Sequence, residues 1–477
     1  MWGLRGESRI RTRMTERPTR VLIAGGGVAA VELMLALHAL AGDRIALELL
    51  APESDFTYRP LVVAEPFKLG DTRRFDLDRI AAEHGARHRA GVLASVDPER
   101  RLATTDSGEE IGYDALAIAI GARPREALPG AVTFSREADV APFRRLLEEV
   151  GREGAGNVVF AVPSGVVWTL PLYELALMTA TFLERCGVSA VKLAFVTPEE
   201  SALRVFGTRA SRAVRALLDE RDIEVHAGTY PVRIEHGKLI VAPDDALPAD
   251  RVVSLPRLEG PRVTGLPHDS QGFMPTDTYG RVEGVDDVYA AGDATTFPIK
   301  QGGLATQQAD VVAQTIAAHA GAPVTPEPFR PVLRGLLLTG RTPAHMSTEL
   351  RGGLGDTSRV EVEPLWWPPS KIAGRYLSPY LARLTAAAHP EPGFGIRIEV
   401  DDLEGDLAGR AEPRLAHDQR YHDGQRVSVS WTPIGVGRER QLPNRWFNDG
   451  KSMGRPEGRP MLSNEVTGLT AQEIRLF

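Results

Sequence analysis

Short aliphatic runs, several of them ending in glycine, alternate with longer helix-compatible stretches along most of this chain. Residues 20–24 (RVLIA) are β-branched and aliphatic, as suits a strand buried on both faces of a parallel sheet. Residues 31–38 (VELMLALH) are helix-compatible, and residues 45–50 (IALELL) are apolar again. Together they predict a βαβ unit of roughly thirty residues. A charged helical stretch is predicted at 143–153, and residues 157–161 (NVVFA) read as the opening strand of a second unit. Residues 172–178 (LYELALM) continue that unit as a helix. Further on, residues 285–294 (VDDVYAAGDA) run an apolar strand into Gly-Asp, and a helix is predicted from Gly302 and Gly303 to about Ala318. Residues 333–340 (LRGLLLTG) read as another strand. Strands alternating with helices predict an α/β fold. Residues 411–477 lose any sustained period and are rich in Arg, Gly, Pro and Asn, so a mostly disordered tail is expected there.

The loop between the first strand and helix carries the first chemistry. Gly25-Gly26-Gly27-Val28-Ala29-Ala30 is the GxGxxA form of a dinucleotide fingerprint, in its required strand–loop–helix–strand context. Gly25 makes the tight turn, Gly27 lets the backbone approach a diphosphate, and Ala30 keeps helix and strand close. Amides at the helix start, Val28 and Ala29 among them, hold the diphosphate. An acid is expected at the end of the second strand for the ribose hydroxyls. Ala51 stands there, and Glu53 follows two residues on. Glu53 is either that acceptor or a turn residue.

The corresponding loop of the second unit, residues 162–171 (VPSGVVWTLP), is degraded. A nicotinamide-binding loop needs two or three glycines for backbone approach, and only Gly165 remains. Pro163 removes an N–H donor, and Trp168 adds bulk.

Taken together, the chain resembles flavoproteins with two dinucleotide-binding domains, the pyridine nucleotide-disulfide oxidoreductase-like superfamily. It is nearest the sulfide:quinone oxidoreductase and type II NADH dehydrogenase branch. The resemblance rests on VLIAGGGVAAVE (21–32), FTYRPL (56–61), YDALAIAIGA (113–122), PLYELA (171–176) and VYAAGDATTFPIKQGG (288–303), and covers roughly 18–385. It implies two Rossmann-like domains: a discontinuous FAD-binding domain at 18–124 and 258–330, and an NAD-type domain at 125–257. A C-terminal segment follows at 331–410. FAD is the implied cofactor, reduced at N5 by a donor and reoxidised by an acceptor, often a quinone. Gly121 belongs to the strand that crosses from the flavin domain into the second domain. Gly292 and Asp293 match the turn at which the aspartate accepts a hydrogen bond from a ribityl hydroxyl. Gly303 and Leu304 open the helix whose positive end points at the flavin pyrimidine. Lys300 stands at the flavin edge or in an exposed loop. Glu174 matches a glutamate near the nicotinamide of NADH dehydrogenases, or is an ordinary helix carboxylate. Lys300 and Glu174 are the catalytic candidates.

Composition then narrows the chemistry. Lys and Arg total 56 against 63 Asp and Glu, and the net charge of −7 argues against coating nucleic acid. The one cysteine, Cys186, excludes an internal disulfide, a Cys-only zinc site, an iron–sulfur cluster and a CxxC pair. No metal site is expected. Sulfide oxidation in the resembled family uses redox cysteines beside the flavin, and Trp168 holds one of their positions here. The expected function is therefore an FAD-dependent oxidoreductase with a non-thiol donor and a quinone-like acceptor. An NAD(P)H dehydrogenase with an atypical loop and an inactive flavin-binding interaction module are the alternatives.

No run of about 18 apolar residues exists, so no transmembrane helix is expected. No secretory signal is expected at the start of the chain, where residues 1–17 read either as a short basic arm or, the favoured reading, as a stretch in which translation begins at Met14. A cytoplasmic protein is expected, with peripheral contact at the inner face of a membrane as an option. Trp366, Trp367, Tyr376 and Tyr380 mark either a membrane- or quinone-facing surface or packing against the flavin domain or a homodimer partner.

Overall fold

The computed structural model describes residues 17–243, 245–350 and 357–388, and the short strands Ile398–Glu399 and Ser428–Val429. The expected arm at 1–17, except its last residue, lies outside the described residues. So does the expected tail at 411–477, apart from Ser428–Val429.

Two five-stranded sheets organise the chain, and every pairing in them is parallel. The first has the spatial order Val288–Ala290, Ala115–Ile118, Thr19–Ala24, Ile45–Ala51, Ala86–Ala90. Its strand Val288–Ala290 arrives from far along the chain, so this unit is discontinuous. Thr19–Ala24 sits centrally, with Val21, Leu22, Ile23 and Ala24 all buried. That is why its sequence is an unbroken apolar run rather than an alternating one. Helices Val28–Ala41 and Gly302–His319 pack against each other. Val28–Ala41 buries Ala30, Val31, Leu33, Met34, Ala36 and Leu37, so it is apolar nearly all round.

The second sheet has the order Val132–Thr133, Arg251–Ser254, Ala155–Ala161, Ala190–Thr197, Ile223–Ala227. Leu170–Arg185 is its buried helix, whereas Val140–Glu153 and Thr208–Asp219 each turn a polar face to water. Strands Arg123–Arg125 and Arg257–Glu259 pair antiparallel where the chain leaves and re-enters the first unit. A three-stranded antiparallel sheet, Val332–Leu337, Ala344–Glu349 and Arg359–Glu361, and the helix Leu377–Ala388 form the C-terminal part, and smaller antiparallel sheets flank the two units. One hydrophobic cluster runs through both units and this C-terminal part. Among the described residues no helix is long and apolar enough to cross a membrane.

Candidate active site

The glycine loop of the first unit makes an open, electropositive cradle. Gly25 has φ +124°, and a Cβ there would lie 2.3 Å from the Ala119 carbonyl oxygen, so only glycine fits. Gly27 caps Val28–Ala41 without a side-chain bond, and a Cβ on it would meet nothing within 4 Å. The first helical bond runs from Val31 N–H to the Gly27 carbonyl at 3.0 Å. The amides of Val28, Ala29 and Ala30 therefore find no acceptor among the described residues, and no acid stands in the first turn. Such an end attracts an anion. Glu53 is exposed and unpaired among the described residues, and its Oε2 lies 3.7 Å from where a Cβ on Gly26 would be. Its carboxylate is thus over the loop. Gly121 turns at φ +72° with open space around it.

Opposite the cradle is the Gly-Asp turn. Gly292 has φ +76°, and a Cβ on it would stand 3.3 Å from the Cβ atoms of both Ala29 and Ala305. Its N–H donates to Gln308 Oε1 at 2.7 Å. The half-buried Asp293 accepts no hydrogen bond from any described residue. Burial raises its pKa, against the pull of the nearby Lys300 and Arg59 charges. A desolvated carboxylate without a donor suits a hydroxyl-bearing ligand. The free amides, the small residues and this acceptor fit FAD.

Lys300 donates to the Thr295 carbonyl and holds its ammonium 3.8 Å from the centre of the Phe273 ring. Burial lowers its pKa to about 8, opposed by Asp293 and Asp269. The helix Gly302–His319 is capped by Gln301, whose Oε1 accepts the Leu304 N–H at 2.8 Å. Leu304 is buried and its amide is taken. The amides of Gly302 and Gly303 are the ones without an acceptor among the described residues.

A strap at 370–377 closes over this helix start. A Cβ on Gly302 would lie 2.7 Å from Ile372 Cδ1. The Ile372 N–H donates to the Tyr58 hydroxyl at 3.1 Å. On the side of the second unit, Lys371 Nζ donates to both oxygens of Glu174 at 2.6 and 2.7 Å, and Leu338 N–H adds a bond of 2.8 Å. Both side chains of this ion pair are buried. Burial raises the Glu174 pKa and lowers that of Lys371, and each charge opposes the other's shift. The strap ends on Glu32 of the first glycine helix, which accepts the N–H groups of Tyr376 and Leu377 at 2.8 and 2.6 Å. Lys371, Tyr58 and Glu32 were not singled out from the sequence. The one available signal was a lysine inside the aromatic, apolar stretch 365–377, in a chain with only six lysines.

The second loop is built differently. Trp168 packs on Phe206 at 5.9 Å, and Gly165 turns at φ +85°. Cys186 caps the end of Leu170–Arg185, and burial raises its thiol.

The pyridine nucleotide-disulphide oxidoreductase family matches residues 19–320. The chain belongs to this family. It is an FAD-dependent oxidoreductase. Its relatives include a sulfide-quinone reductase of Aquifex aeolicus, 28% identical over 52% of this chain and 61% of that protein. The chlorobenzene dioxygenase ferredoxin reductase component of a Cupriavidus species is 26% identical over 71% and 84%. An NADH dehydrogenase-like protein of Mycobacterium tuberculosis is 25% identical over 58% and 72%. The match to the Aquifex relative thus spans less than two thirds of that protein's length. Among solved structures, the Aquifex aeolicus sulfide:quinone oxidoreductase superposes with a TM-score of 0.65 at 21% identity, covering 72% of this chain and 86% of that one. The Plasmodium falciparum NDH2 superposes at 0.55 and 13%, covering 71% and 92%. At those identities the superpositions establish the fold.

Proposed function

We infer that this oxidoreductase takes electrons from a non-thiol donor and passes them through FAD to a quinone-like acceptor. The observation that carries this reading is the buried Glu174–Lys371 pair, held where the strap meets the start of Gly302–His319. Reducing a quinone takes two electrons and two protons. Bound FAD supplies the electron pair. The chain must supply protons where water is excluded, and a carboxylate and an ammonium whose pKa values are pushed toward each other are suited to hold and release one. In the cradle, Val28, Ala29 and Ala30 would hold the diphosphate, Gly25 and Gly27 would admit it, and Glu53 would take ribose hydroxyls. Asp293 would accept a ribityl hydroxyl, with Gly292 keeping the turn close. Gly121, Gly303 and Leu304 would shape the flavin end, and Lys300 its edge. Sulfide and quinone chemistry in a relative supports the acceptor. The lone Cys186, a weakly acidic thiol at a helix end, speaks against a thiol donor. The exposed Trp367 beside the strap supports peripheral membrane contact, where a quinone would be met.

The test is anaerobic. FAD-loaded protein is reduced with dithionite, and reoxidation by a short-chain quinone is followed at the flavin band. Wild type should reoxidise, and Lys371→Met should do so at least tenfold more slowly with its FAD retained. Indifference of the reduced wild type to quinone contradicts the reading.

A further inference from the structure

The second unit keeps the βαβ order of a dinucleotide site, Ala155–Ala161, Leu170–Arg185, Ala190–Thr197. A nicotinamide dinucleotide bound there needs free amides at the helix start and an acid past the second strand for the adenosine ribose. Both are compromised from inside the chain. Pro171 occupies the first turn of the helix and has no N–H to offer. The acid is Glu199, two residues beyond Thr197. It accepts hydroxyl hydrogen bonds from Tyr173 at 2.8 Å, Thr197 at 3.0 Å and Thr169 at 3.2 Å. All three donors are fully buried. The Tyr173 ring stacks on Phe195 at 4.0 Å and 22°, which fixes its hydroxyl on the carboxylate.

We propose that Tyr173 is a built-in plug, its hydroxyl standing on Glu199 in place of ribose hydroxyls, so that the second unit rejects NADH and NADPH. This deepens the reading above and rests on it for the flavin. It makes Tyr173, Glu199 and Trp168 specificity-determining residues and assigns the donor to a class without a dinucleotide. A ribose entering here must displace a phenol already bonded and stacked. Little is gained, because the carboxylate exchanges one hydroxyl partner for another.

The test uses FAD-loaded protein, so that the first unit is filled, and two probes. ADP-ribose, which carries the adenosine, diphosphate and ribose without nicotinamide, is titrated by calorimetry. NADH and NADPH are added without oxygen while the flavin band is watched. Wild type should bind no ADP-ribose at millimolar concentration and should not bleach with either nucleotide. Tyr173→Phe, which keeps the stack and removes the hydroxyl, and Pro163→Gly/Trp168→Gly/Tyr173→Phe should tighten ADP-ribose binding at least tenfold. Submillimolar ADP-ribose binding or rapid bleaching of wild type overturns the proposal. Silence from both variants, folded and with normal FAD content, overturns Tyr173 as the plug. A chain that takes up no FAD contradicts the flavin reading instead. The effect of Tyr173→Phe is then still read as a difference from wild type with the first unit equally empty.

Discussion

The two βαβ units place an acid at the same offset past the second strand, Glu53 after Ala51 and Glu199 after Thr197. In the first unit that carboxylate is exposed and unpaired among the described residues, over a glycine loop with three free amides. In the second it already accepts from three buried hydroxyls, behind a loop with one glycine and a tryptophan packed on Phe206. The fold is common to both, and only in the first are the acid and the three helix amides without partners among the described residues. A Rossmann architecture therefore says little about nucleotide binding until the partners of its acid and its helix amides are counted.

The strap joins the two units, and breaking it should have the largest effect on stability. Lys371→Met leaves Glu174 buried without its cation, at a cost of about 3–5 kcal/mol, or neutralises it. Chemical denaturation should show the loss, and Glu174→Gln in the same background should recover part of it. Next come the two loop glycines. Gly25→Ala puts a Cβ against a backbone carbonyl at a strained φ and should cost about 3 kcal/mol and most of the bound FAD. Gly165→Ala faces open space and should cost only about 1 kcal/mol, with FAD unchanged. Equal FAD loss in the two variants would erase the distinction between the units. Asp293→Ala should weaken FAD by about 1–3 kcal/mol, seen as faster flavin release on dilution.

A pH effect of smaller size is expected where the strap is anchored. Asp310 lies against Glu32, and its Oδ1 finds no hydrogen-bond partner. Burial and then the Glu32 charge hold the Asp310 carboxyl well above its usual range, and Arg375 opposes this weakly. Burial also raises Glu32, against the Tyr376 and Leu377 amides. The folded state thus binds a proton that the unfolded state releases. Its stabilising contribution is complete below the ordinary carboxylate range and is lost as pH rises through the raised values of the pair. Melting midpoints should fall with rising pH over that window, and Asp310→Asn should flatten the fall. An unchanged slope in Asp310→Asn would remove the shared proton from the account.

Much of the fold was legible because buried parallel strands are unbroken apolar runs, as at Val21–Ala24 in the centre of the first sheet, and glycine marked where the backbone must turn. The GxGxxA loop and the Gly-Asp turn were legible for the same reason, since Gly25 and Gly292 are steric requirements written in single residues. The buried ion pair was not. Glu174 and Lys371 lie 197 residues apart in sequence, and neither carries a local pattern that names the other. Glu32 lies in a local helical pattern, yet it caps a segment 344 residues downstream. Gln301 holds the Leu304 amide at the start of the helix that Gly303 and Leu304 were expected to open, and a cap depends on one rotamer that composition does not specify.

The contrast between the units is tested most directly by FAD content, measured as the ratio of released flavin to chain in purified wild type, Gly25→Ala and Gly165→Ala. The account predicts about one FAD per chain in wild type, little in Gly25→Ala and a wild-type ratio in Gly165→Ala. A wild type that cannot be loaded with FAD, or a Gly165→Ala variant that loses it while Gly25→Ala keeps it, would contradict the account.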